Sequence, residues 1–264
     1  MKLKTISIAL LGLVMIFTSF IGNAMQAKAP VREFYQLIVY HIKDKTQEDR
    51  LDKYLSEAYI PAVRRLGIKT VGVFKTFNID TAADKRVYVL LPHQSLQGVQ
   101  LLNQRLEKDK ELAGKGADYI NASFDNAPYT RKETMLMQAF TGMPGLKKPV
   151  FDAPKNTRVY ELRSYESATE KLSLNKINMF NDEEMEIFFR IGSQPVFFAE
   201  VLAGSRMPNM MYLTSYSDKA SRDDHWKTFG SDPAWKRMSV LPKYKNNMDR
   251  MDVVFLTPTT YSDL

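Results

Sequence analysis

The 264-residue chain contains no cysteine, only two tryptophans and only three histidines. Without cysteine there is no disulfide, no thiolate nucleophile, no iron–sulfur cluster and no cysteine-ligated zinc. The fold must therefore stand on its core alone. Long apolar runs are also scarce, with one at the N-terminus and none after it. Basic blocks are missing too. Lys and Arg exceed Asp and Glu by seven, but they are interleaved with them along the whole chain. A nucleic-acid partner would need a clustered basic face, so none is predicted. The commoner catalytic signatures are likewise lacking. There is no Gly-x-Ser-x-Gly elbow, no Gly-rich phosphate loop, no His-Glu-x-x-His and no Asp-rich calcium loop. No cofactor is predicted from the sequence.

What is present begins with Lys2 and Lys4, followed by an apolar run from Ile6 to Ile21 and the small-residue exit Gly22-Asn23-Ala24-Met25-Gln26-Ala27. Positive charge, apolar run and small residues, in that order, form the layout of a secretory signal. The run is short for a membrane span, which needs roughly 20 apolar residues. Residues 1–24 therefore read as a signal peptide cleaved after Ala24 or Ala27, and the expected location is the periplasm or the exterior. An uncleaved anchor is the alternative. After cleavage no membrane span is expected, and loss of Lys2 and Lys4 leaves the charge near +5.

The mature chain repeats itself. Tyr35-Gln-Leu37-Ile-Val-Tyr40 returns as Tyr160-Glu-Leu162-Arg-Ser-Tyr165, and Val71 to Phe74 returns as Val196 to Phe198. Tyr88-Val-Leu90 returns around Tyr212-Leu213, at nearly the same offset. Ordered matches at a near-constant offset indicate duplication. Strand-like runs rich in β-branched and aromatic residues alternate with stretches of three- and four-residue apolar spacing. The order is βαββαβ, twice. The first unit spans 31–141 and the second 157–264, with a Gly- and Pro-rich linker at 142–156. Each unit predicts the ferredoxin-like plan, an antiparallel sheet with both helices on one face. The predicted fold class is α+β, with the two sheets pairing into a pseudo-dimeric α/β barrel.

Several residues could carry chemistry. Alternation along 159–166 puts Glu161, Arg163 and Tyr165 on one face and Tyr160, Leu162 and Ser164 on the other. We assign the first set to the barrel interior and the second to the helix-covered side. Inside the barrel, Arg163 and Tyr165 form a pocket for an anionic group, or Glu161 and Arg163 simply close an internal ion pair. The first unit has Gln36, Ile38 and Tyr40 at the matching places, so the site is expected in the second. His41 and His93 end the first and third strands, which are taken as adjacent and parallel, so that the two imidazoles meet at one edge. They are a secondary candidate pair for proton transfer or metal, or two solvent-facing strand ends; no metal set is completed by spacing. Asp232-Pro233-Ala-Trp235 reads as a helix cap with an inward anchor. Arg222, Asp223 and Asp224 read as a solvated helix face, and His225 as a surface residue.

The stretch Val159-Tyr-Glu-Leu-Arg-Ser-Tyr165, with Tyr216-Ser-Asp218, Arg222, Trp226-Lys-Thr-Phe229 and Asp232-Pro233-Ala-Trp235, resembles the NIPSNAP family of the dimeric α/β-barrel superfamily. The resemblance covers about 158–257. The first unit keeps the strand order but has no Asp-Pro-x-Trp counterpart. The resemblance implies a ferredoxin-like fold and no settled reaction. A module binding a small or anionic ligand or a protein partner through the barrel is the function expected, and further association of chains stays open. By analogy with other barrels of this plan, the alternatives are a cofactor-independent oxygenase or isomerase, or a haem-binding protein, the last of which requires an imidazole facing the cavity.

Overall fold

The computed structural model describes residues 31–264. The signal peptide read at 1–24 lies outside the described residues. The first unit runs β1 (Phe34–Ile42), α1 (Lys45–Tyr54), a π turn (Leu55–Tyr59), α2 (Ile60–Arg65), β2 (Gly72–Thr76), β3 (Lys85–His93), α3 (Leu96–Leu106), α4 (Lys110–Lys115), α5 (Ala117–Ile120) and β4 (Arg131–Ala139). The second runs β5 (Val159–Glu166), α6 (Glu170–Met179), a π turn (Phe180–Glu184), α7 (Met185–Arg190), β6 (Gln194–Ala203), β7 (Asn209–Tyr216), α8 (Lys219–Ser231), α9 (Pro233–Met238) and β8 (Arg250–Pro258).

The duplication extends to details of the backbone. Both long helices carry a π turn at the same place, 125 residues apart. Both end at a glycine with positive φ, Gly67 and Gly192. At each end two amides return to the last turn, Gly67 N–H to Arg64 and Ile68 N–H to Val63, then Gly192 N–H to Phe189 and Ser193 N–H to Phe188. That closure requires a left-handed residue, which glycine adopts without a Cβ clash. The N-caps pair up as well: Asp44 with Thr169, Ser95 with Asp218, and Asp109 with Asp232. Arg65 bridges to Asp109 as Arg190 bridges to Asp232. The cap of the Asp-Pro-x-Trp motif is thus present in the first unit, where Leu112 stands in the place of Trp235.

The eight strands close into one barrel, ordered β1-β3-β2-β8-β5-β7-β6-β4, and every registered pair is antiparallel. Closure comes from β2 pairing with β8 and β4 with β6, so each unit lends its last strand to the second strand of the other. This leaves no open edge. An eight-stranded barrel is just wide enough for side chains or one small ligand, and here its centre is filled by its own side chains. They are Tyr35, Leu37, Val39, Phe74, Leu90, Met137, Tyr160, Leu162, Phe197, Met211, Leu213 and Leu256, packed as one apolar cluster.

Two expectations are corrected here. Tyr160 and Leu162 point into the barrel, so Glu161, Arg163 and Tyr165 lie on the opposite, helix-covered face. Alternation separates the two sets but does not say which faces inward, and the confined barrel core takes the apolar set. The histidines are also misplaced. β1 and β3 are antiparallel, with Phe34 opposite His93 and His41 opposite Arg86. The α1–α2 crossover makes β2 parallel to β1, and the hairpin to β3 reverses direction again. His41 and His93 therefore sit about 24 Å apart, at opposite ends of the strand pair. They form no pair. A smaller correction concerns the third strands. Tyr40 lies opposite Val87 and Tyr165 opposite Met210, so Val89, not Tyr88, occupies the place of Tyr212.

Phe197 is fully buried in the barrel and lies 5.2 Å from the ring of Tyr35. Phe197→Ala should cost about 3–5 kcal/mol, read as a lower urea midpoint with an unchanged slope.

Candidate functional site

The site is built on the outer face of β5 and covered by α6–α9. β5 lies between β7 and β8, so residues 161, 163 and 165 line up under the helices. α8 starts at its Asp218 cap and presents Arg222, Trp226 and Phe229 at helical spacing toward that stripe.

Glu161 is fully buried and saturated with donors. Its Oε1 accepts from Arg163 Nε at 2.6 Å and an Arg222 terminal nitrogen at 2.9 Å, and its Oε2 accepts from Arg222 Nε at 2.6 Å and Trp226 Nε1 at 2.8 Å. Burial by itself would raise the Glu161 pKa. The donors from Arg222 and Arg163 outweigh it and hold the carboxyl below the ordinary carboxylate range. The Arg163 guanidinium lies 3.7 Å from the Trp226 ring centre and donates to Tyr165 Oη at 3.1 Å. Its other contact there is the Met251 sulfur at 3.5 Å, a weak acceptor. The Tyr165 and Tyr212 hydroxyls are 2.7 Å apart, and burial raises both phenols above their usual pKa. Across the space Lys176 Nζ donates to Glu184 at 3.0 Å and meets the Met179 sulfur at 3.4 Å. Lys176 is 6 % exposed and Glu184 3 %. Burial pushes the Glu184 carboxyl up, with Lys176 opposing.

These groups border a cavity of about 330 Å³. Arg163, Tyr165, Lys176 and Glu184 form its polar part, with Trp226, Phe229, Trp235, Met248 and Met251 as the apolar wall. Both tryptophans of the chain line it.

The equivalent space in the first unit is filled. Gln36, Ile38, Leu51, Tyr59 and Val89 stand where the second unit has Glu161, Arg163, Lys176, Glu184 and Tyr212. Tyr119 stacks on Tyr54 at 3.7 Å and, with Tyr129, packs against Tyr40. Of the two units only the second leaves a cavity at this position, and it lies beneath the helices and not inside the barrel.

Of the residues singled out from sequence, Glu161, Arg163 and Tyr165 do come together. Asp232 caps α9 through the amides of Ala234 and Trp235, Pro233 occupies the first helical position, and Trp235 packs on Phe229. His41 bonds Glu133 at 2.9 Å at the end of β1, and His93 lies in a separate groove. His225 is half-buried, with its ring 5.5 Å from that of Tyr216. No histidine lines the 330 Å³ cavity, so its wall does not supply the imidazole that haem binding was expected to need. Arg222 is not a solvated residue: it turns inward to Glu161, while Asp223 and Asp224 stay exposed. Lys176, Glu184, Tyr212, Trp226 and Met251 were missed. The signal available was the replacement of Leu51 and Tyr59 by Lys176 and Glu184 at the repeat offset, charges on an otherwise apolar helix face.

An eight-stranded barrel closed by two ferredoxin-like units within one chain defines a fused dimeric α/β-barrel protein. Its second unit is similar to the NIPSNAP family, whose model matches residues 160–263. No curated protein matches the sequence significantly. Among solved structures, a candidate monooxygenase from Fusobacterium nucleatum is similar over 86 % of this chain and 93 % of its own, at 9 % identity and a TM-score of 0.54. One from Lactobacillus acidophilus matches equally, over 86 % and 94 %. At 9 % identity the likeness is one of fold. An uncharacterised NIPSNAP-like domain protein from Burkholderia xenovorans matches at 18 % identity over 41 % of this chain and 91 % of its own, with a TM-score of 0.37. Among the described residues no helix is long and apolar enough to cross a membrane, and no group of three metal-ligating side chains occurs.

Glu161→Gln leaves the buried Arg163 guanidinium and the half-buried Arg222 guanidinium facing a neutral amide. It should cost about 3–5 kcal/mol. Because the folded pKa of Glu161 is depressed, its stabilisation is present above the unfolded carboxyl pKa and is lost as pH falls through the folded value. A Tm–pH profile should show an acid-side fall in the parent chain that is shallower in Glu161→Gln.

Proposed function

We propose that the second unit binds a small, flat organic anion in the cavity between β5 and α6–α9. The observation that carries this reading is the charge count. Among the lining residues Arg163 and Lys176 are cationic and Glu184 is the one carboxyl, so the cavity wall carries at least one more positive than negative charge. Glu161 behind it is shared with Arg222, which also bridges Asp223 at 2.9 Å. The two phenols do not supply the balance, since burial keeps them neutral. Two of the cations also turn a donor toward a thioether sulfur, Arg163 toward Met251 and Lys176 toward Met179. A ligand carboxylate or phenolate offers a far better acceptor. The two indoles, Phe229 and the two methionines suit a planar apolar body, and 330 Å³ fits a compact molecule.

Phenylacetate tests this directly, because both tryptophans line the cavity. Titration should change the intrinsic fluorescence saturably, and benzyl alcohol should do so at least tenfold more weakly. Arg163→Met should abolish the response. Equal responses to the acid and the alcohol would overturn the anion reading.

A second reading rests on Glu184. A carboxyl whose pKa is raised by burial in a ligand cavity is suited to taking a proton from a bound carbon acid and returning it elsewhere, an isomerisation that needs no cofactor. In D2O, phenylpyruvate should exchange its methylene hydrogens faster with the parent chain than with Glu184→Gln. Equal rates would dismiss this reading and leave a binding protein.

Export of the chain, read from residues 1–27, supports a role outside the cytoplasm. N-terminal sequencing of the processed chain should begin at Met25 or Lys28.

A further inference from the structure

The first unit has an opening of its own, at the far end of β3. His93 faces the helix side of its strand and is 5 % exposed, yet its Nε2 has no hydrogen-bond partner among the described residues. A buried polar nitrogen left unpaired costs about 1–3 kcal/mol, and native structures seldom retain one without use. The imidazole forms part of a groove of about 350 Å³, with Leu66, Ile68 and Leu102 as its apolar wall. Lys69 and Arg105 also border it, both exposed and neither bridged to a carboxylate among the described residues. Glu33 is nearby, but its carboxylate is occupied by the Gln94 side chain at 2.9 Å and the Leu146 amide at 2.8 Å. Burial holds the His93 ring neutral, with a pKa down to about 4.

The duplicated unit shows what closes this space when it is not used. At the helix-ending glycine of the second unit, a Cβ on Gly192 would meet His225 Nε2 at 3.8 Å; at the matching Gly67 nothing lies within 4 Å. With Ser95 and Asp218 as equivalent caps, His225 corresponds to Leu102. It is held there by its Nδ1–Ser221 carbonyl contact at 2.7 Å and by the ring of Tyr216, which takes the place of His93. One corner of the repeat is therefore plugged in the second unit and open in the first.

We propose that this groove is a second, independent ligand site, for short aliphatic carboxylic acids. The head group would hydrogen-bond the His93 imidazole and face Lys69 and Arg105, and the alkyl chain would lie on Leu66, Ile68 and Leu102. A carboxylate beside the ring also stabilises the imidazolium, so the bound ring titrates higher than the free one.

The chain has only three histidines, so imidazole NMR resolves each ring. Adding hexanoate to the full chain should shift the His93 ring signals saturably, leave those of His41 and His225 in place, and raise the pH midpoint of His93. Tryptophan fluorescence, which reports the other cavity, should not follow the same curve. Leu102→His, which copies the plug of the second unit, should remove the His93 response while the fluorescence response to phenylacetate persists and shows that the chain is folded. Unmoved His93 signals, an equal shift with hexanol, or a response that survives in Leu102→His would each overturn the proposal. Because the two sites have separate reporters, failure here leaves the anion site of the second unit untouched.

Discussion

The interior of this eight-stranded barrel is narrow enough for side chains from its own strands to fill its centre. In this chain the space is taken by aromatic and aliphatic residues from both units. Polar residues on the inner face, among them Arg86, Glu133, Ser164 and Asn209, are confined to one end of the barrel, and the charged stripe of β5 lies on the outer face. There it meets the helices, and whether a site forms depends on what those helices bring. In the second unit α6 and the following π turn bring Lys176 and Glu184, and α8 brings Arg222 and Trp226. In the first unit the same elements bring Leu51, Tyr59 and tyrosines that stack into a closed layer.

The duplication has thus been put to unequal use. Caps, π turns and helix-ending glycines are kept in both copies because they set the backbone. The helix–sheet layers are free to diverge because each is packed locally. One became a charged cavity sealed over Glu161, and the other an apolar core. At the opposite corner the arrangement is reversed: His225 and Tyr216 fill the second unit, while His93 overlooks an open groove in the first.

Glu161 shows how a buried charge is tolerated here. Two guanidinium groups and an indole N–H satisfy both carboxylate oxygens. The cost of burial is offset by several short charged hydrogen bonds and not by one ion pair. The same network orients Arg163 against Trp226 and toward the cavity, so the fold-stabilising bond and the cavity-facing donor belong to one side chain.

Much of the fold was legible in the residues themselves. Strand and helix order, the repeat, the linker, the capping role of Asp232 and the grouping of Glu161 with Arg163 and Tyr165 follow from local periodicity and turn chemistry, which act over a few residues. Strand direction and facing did not follow. Period-2 alternation is symmetric between the two faces of a sheet, so only the packing of the closed barrel decided that Tyr160 and Leu162 point in and the charged stripe points out. The antiparallel setting of β1 and β3, which separates His41 from His93, comes from a crossover and a hairpin taken together. Arg222 on α8 and Lys176 on α6 became site residues only because helices distant in sequence fold over the same strand, and a partner that far along the chain leaves no trace in local spacing.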